Sequence, residues 1–125
     1  MPGYEPGVCN IGRKEIRKRY ALAVVGFAIA AIVSYIILSS YLPRWALLSS
    51  FIPLLVGFEG FYQGYLGFCA GFAAAGVYDF TGSGGSKSKV TDPESHKRDM
   101  KKANRIHLYS IISGMIVTAI IYFAL

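Results

Sequence analysis

Three long apolar runs, separated by segments that carry almost all of the charge, dominate the chain. The first, Tyr20 to Leu42, has 23 residues and no charge. At ~1.5 Å per residue, a helix of that length crosses a hydrocarbon core of ~30 Å. Pro43 ends it, and Arg44 and Trp45 mark an interface. The run exceeds the roughly 7–15 residues of a signal-peptide core and no small-residue cleavage site follows, so it reads as a retained span. The second run, Trp45 to Tyr78, has 34 residues and one charge, Glu59. That is too long for one ordinary crossing and too short for two with a turn. Pro53 is where the excess is expected to be absorbed, by a kink or by a helix starting there under a Ser49 or Ser50 cap. Residues 44–50 then lie along the outer interface, and one continuous helix covers 51–78. A four-span alternative splits this run and returns the C-terminus to the first side. The third run, Ile106 to Leu125, follows Thr91-Asp92-Pro93-Glu94, a capping box with proline in the first turn. It predicts a helix from near residue 92, with a basic extension over 92–105 and a span over 106–124.

The remaining segments are polar. Residues 1–12 are rich in Gly and Pro and read as irregular, with Asn10 as a helix cap. Helical pattern begins at Arg13, and Glu15 stands four residues before Arg19, an ion-pair spacing. Residues 81–90 form a Gly/Ser/Lys linker, flexible on composition. The expected fold is therefore all-α, a single polytopic membrane domain over 1–125 with three transmembrane helices.

Charge sets the orientation. Of 13 Lys and Arg in a chain of net charge +6, five precede Tyr20, one lies in the first loop and seven lie between Asp79 and Ile106. The positive-inside rule places the N-terminus in the cytoplasm and the C-terminus outside. The same cations suit anionic lipid headgroups; a nucleic-acid partner is not expected of so apolar a chain. Two cysteines, Cys9 and Cys69, are too few for a disulfide scaffold.

Several constellations carry candidate chemistry. Gly57, Gly60, Gly64, Gly67 and Gly71 recur at three- and four-residue spacing, one stripe of the second helix that Ala74 continues. Such a stripe admits a close neighbour helix, from this bundle or from another subunit. Beside it runs an aromatic band, Phe58, Phe61, Tyr62, Tyr65, Phe68 and Phe72, suited to lipid, to a partner subunit or to a flat cofactor such as a quinone or chlorin. Glu59 is the one acid inside an apolar run, with Tyr62 beside it and Gln63 a turn on. Three readings compete: a neutral carboxyl bonded within the bundle, a partner to a cation on another subunit, or part of a proton or cation path about two turns below the outer surface. Cys9 and Cys69 stand as independent thiols, as a dithiol, or as half a metal site whose further ligands, such as His96 and His107, lack a recognisable spacing. His107, at the start of the third span, reads foremost as an interfacial hydrogen-bonding residue. No phosphate loop, nucleophile elbow, paired histidines or dinucleotide fingerprint is present, so an enzyme acting alone is not expected and no cofactor is predicted.

Residues 9–19 (CNIGRKEIRKR), 68–80 (FCAGFAAAGVYDF) and 92–103 (DPESHKRDMKKA) together resemble a family of small uncharacterised prokaryotic three-span membrane proteins. That family has a Cys-Asn-Ile-Gly start and a Phe-Cys pair at the end of the second span. The resemblance implies that Cys9, Asn10, Gly12, Glu15, Arg19, Phe68, Cys69 and Gly76 form the recurrent part, gathered at the cytoplasmic face. It implies no activity. The leading expectation is a non-catalytic accessory subunit of a membrane complex, of respiratory or monooxygenase type. The alternatives are a homo-oligomeric proton or cation transporter using Glu59 and a thiol-based redox or metal-handling protein using Cys9 and Cys69.

Overall fold

The computed structural model describes residues 3–82 and 84–125. The chain is mostly helical: α1 (Arg13–Leu38), a 3-10 segment (Arg44–Ser50), α2 (Phe51–Leu66), α3 (Ala70–Ala75), strands β1 (Val77–Asp79) and β2 (Lys87–Lys89), and α4 (Pro93–Ala124). Among the described residues, three helical stretches are long and apolar enough to cross a membrane: Arg13–Leu38, Arg44–Leu66 and Pro93–Ala124.

The middle stretch lies between the other two. Its antiparallel match to α1 is close because both helices present small residues where they cross. A Cβ on Gly26 would stand 2.6 Å from the backbone nitrogen of Gly57, and one on Gly60 would stand 2.6 Å from the carbonyl oxygen of Arg19. Tyr20 covers Gly64 at one end, and at the other the hydroxyls of Ser34 and Ser50 meet at 2.9 Å. Against α4, Phe51 lies on Gly114, and the Arg44 guanidinium donates to the Tyr122 carbonyl at 2.6 and 3.0 Å.

The second span departs from expectation at its C-terminal end. The α-helix begins at Phe51 with Ser50 in the N-cap position, as expected; residues 44–50 before it form a separate 3-10 segment in which Leu47 and Ser50 are buried, and α2 continues past Pro53. Neither serine caps through its side chain; Ser49 bonds the Ala46 carbonyl and Ser50 is engaged by Ser34. Nor does one helix cover 51–78. Gly67 takes φ +63°, and the N–H groups of Gly67 and Phe68 close back on the carbonyls of Gly64 and Gln63, a left-handed helix stop. Phe68 then turns inward and is fully buried with Ala70, Ala73, Ala103 and Ile106. The glycine series thus serves two purposes: Gly57, Gly60 and Gly64 form the face against α1, Gly67 ends the helix, and Gly71 belongs to α3.

The polar end is more ordered than its composition suggests, and it adds a small sheet to the expected all-α fold. β1 and β2 pair antiparallel, Val77 opposite Lys89 and Asp79 opposite Lys87, so residues 87–89 of the expected linker are strand; Ser83 lies outside the described residues. The N-terminal segment runs alongside: Gly12 N–H donates to the Asp79 carbonyl at 3.0 Å and Asp79 N–H to that of Asn10 at 2.9 Å. Helix α1 starts after Gly12 with no side-chain cap, so Asn10 is not the cap. Helix α4 is capped by Asp92, which accepts from the Glu94 N–H and the Ser95 hydroxyl, with Pro93 as its first residue.

Candidate functional site

Two polar constellations stand out. The first ties the polar end together. Gly67 breaks the helix so that Cys69 passes in extended conformation beside Asn10. The Asn10 side chain donates to the Cys69 carbonyl at 3.0 Å and accepts from the Cys69 N–H at 2.7 Å. Both backbone groups of Asn10 are bonded too, its N–H to Gly67 and its carbonyl to Asp79, which accounts for a fully buried amide. The Cys69 thiol caps α3, accepting from Phe72 N–H at 3.5 Å, and lies 2.9 Å from Nη2 of Arg19. Arg19 also approaches Glu15 at 3.6 Å, and Lys18 meets the same carboxylate at 3.2 Å.

Cys9 is directed elsewhere. Its thiol donates to the Gly3 carbonyl at 3.5 Å, and burial pushes its pKa up. The two cysteines are both free, with different partners. Among the described residues, no group of three or more His, Cys, Asp or Glu is placed to hold a metal ion. His96 lies near Gly76 and His107 faces Glu59, so neither joins the thiols.

Nearby, fully buried Asp99 accepts from the Tyr4 hydroxyl at 2.7 Å and Gly7 N–H at 2.8 Å, and the Tyr4 ring stacks on Tyr78 at 4.8 Å. Burial, then the Asp99 carboxylate, raises the Tyr4 pKa. Sequence reasoning missed this latch. Asp99 is the acid in a run of Lys and Arg, and that isolation is its one signal.

The second constellation lies between α2 and α4. Glu59 Oε1 stands 2.6 Å from His107 Nδ1, and Gln63 Nε2 donates to Oε2 at 2.9 Å. One turn on, Tyr62 Oη meets Ser113 Oγ at 2.7 Å. Glu59 is adjacent to Gly60, which abuts Arg19, so the acid sits toward the basic end of the bundle. The His107 side chain is half-exposed and that of Glu59 largely covered. The aromatic band divides likewise. Phe58, Phe61, Tyr62 and Tyr65 form a chain of ring contacts on α2, whereas Phe68 is core and Phe72 lies under Arg19.

No family model, curated protein or solved structure matches this chain.

Proposed function

We propose that the chain is a non-catalytic accessory or structural subunit of a larger membrane complex, of respiratory or monooxygenase type, with its basic end in the cytoplasm and its C-terminus outside. The excess of Lys and Arg at one end of the bundle supports the orientation. The observation that carries the reading is an open apolar groove of about 410 Å³ where α1 and α4 fail to close over α2, lined by Phe27, Ala31, Ser34, Tyr35, Leu54 and Ile121. Its α1 wall sets the small side chains of Ala30, Ala31 and Ser34 between the larger Phe27, Tyr35 and Leu38, a floor into which side chains of another helix can seat. The polar groups argue the same way: no buried side-chain N or O among the described residues lacks a hydrogen-bond partner, so Asn10 and Asp99 act as braces. Extraction in gentle detergent followed by native mass analysis tests the proposal. A stable assembly with other membrane subunits or with itself is expected; a monomer alone overturns it.

The contact between Glu59 and His107 favours a second reading, a small homo-oligomeric proton or cation transporter. It requires flux in liposomes that Glu59→Gln abolishes, and unchanged flux in that variant removes it.

A further inference from the structure

We propose that the seam between α1 and α3 binds the phosphate headgroup of an anionic phospholipid, with Arg19 and Lys87 as its cationic walls. The exposed rings of Tyr20 and Phe61 form the surface along which an acyl chain begins, with Tyr65 beside the headgroup. The two cations come from elements far apart in sequence and converge on one ring: Arg19 Cζ lies 5.9 Å and Lys87 Nζ 6.0 Å from the centroid of Phe72. Cation–π contact holds both charges in place before any ligand arrives, and Arg19 is further fixed by Cys69.

Charge balance leaves room for an anion. Glu15 faces Lys18 and Arg19, and Asp79 faces Lys14 and Lys87, so two carboxylates meet four cations and an excess of two positive charges remains. A phosphodiester neutralises part of that excess without displacing either acid.

Depth and surface chemistry select a lipid. Arg19 is the last charge before the apolar face of α1, at the level where headgroups meet hydrocarbon. From there the surface continues as aromatic rings: Tyr20 meets Phe61 edge-on at 6.4 Å, and Phe61 stacks on Tyr65 at 5.9 Å. Tyr65 is 70% exposed, a large ring left uncovered beside Gly64, at the level of Tyr20 and so of the headgroups. Lys101, an exposed cation on α4, provides the comparison.

The site rests on the helices lying in a bilayer, which carbonate extraction reads separately; failure of lipid binding in a chain that resists extraction counts against the site alone. The test is native mass spectrometry of the full chain in nonionic detergent, with phosphatidylglycerol or phosphatidylcholine of the same acyl composition. Preferential retention of phosphatidylglycerol is expected, weakened about fivefold by Lys87→Ala, as befits one interfacial cation. Lys101→Ala should leave retention unchanged, and Tyr65→Ala should reduce it. Equal retention of the two lipids, or equal losses in Lys87→Ala and Lys101→Ala, overturns the proposal. Displacement by inorganic phosphate overturns it too, since the site would then take a free anion.

Discussion

The side-chain amide of Asn10 grips the backbone of Cys69 from both sides, donating at 3.0 Å and accepting at 2.7 Å across 59 positions of sequence. An amide there does what a neighbouring strand would do, supplying a donor and an acceptor in the spacing of a peptide unit. Asn10→Asp keeps the size but turns the donor into an acceptor facing the Cys69 carbonyl. A loss of roughly 1–3 kcal/mol is expected, the cost of buried backbone groups left without partners. Unfolding in mixed micelles measures it, and alkylation of Cys69 should accelerate in parallel. An Asn10→Asp protein as stable as the parent would show that the bracket contributes nothing.

Two glycines of the same stripe should respond to alanine for different reasons. At Gly60 the new methyl would meet the Arg19 carbonyl at 2.6 Å, so α1 and α2 must separate, at a cost of about 1–3 kcal/mol. At Gly67 the nearest atom is 3.8 Å away and the methyl has room, but φ is +63°. There the penalty is conformational, about 1–2 kcal/mol. Crosslinking of cysteines introduced across the α1–α2 face separates the cases, since only Gly60→Ala should change its pattern.

The pair of Glu59 and His107 predicts a coupling of roughly 0.5–1 kcal/mol in a double-mutant cycle of Glu59→Gln and His107→Gln, the range for partly exposed pairs and for polar contacts between helices in lipid. Unfolding free energies of the four proteins give the value directly. Additive effects would mean that the two groups do not stabilise one another.

Stability should fall at both extremes of pH, for separate reasons. The Thr81 hydroxyl chiefly lowers the Asp79 pKa from its ordinary 3.8, so the stability it contributes is present above that value and is lost as pH falls through the lowered one. Burial, with Asp99 beside it, raises the Tyr4 pKa from its ordinary 10.0, so its contribution is present below that value and is lost as pH rises toward the raised one. Circular dichroism across pH tests both. Thr81→Ala should flatten the acid limb and Tyr4→Phe the alkaline limb, each leaving the other unchanged.

Cys9 should react sluggishly. Burial disfavours its thiolate, so at pH 8 alkylation is expected to be slower than for a cysteine in the unfolded chain. A rate equal to that of the denatured protein would show that the N-terminal segment does not stay closed.

The number of long apolar helices, the place of the charges and the basic start of α4 were all legible in the chain, because they depend on local composition and on periodicity within one segment. The fate of Gly67 was not legible in the same way. A glycine in a three-and-four series satisfies a packing stripe and a helix stop equally well, and the choice depends on Phe68 finding a core made by Ala73, Ala103 and Ile106. Asn10 read as a cap because a cap is the commonest local use of asparagine before a helix; its true partner comes from the other end of the second span. Glu59 was visible as an anomaly, but its partner His107 depended on the antiparallel match of α2 with α4. These points were left to the packing of distant segments because a buried polar group takes whichever partner the fold brings within about 3 Å, and sequence distance places no limit on that choice.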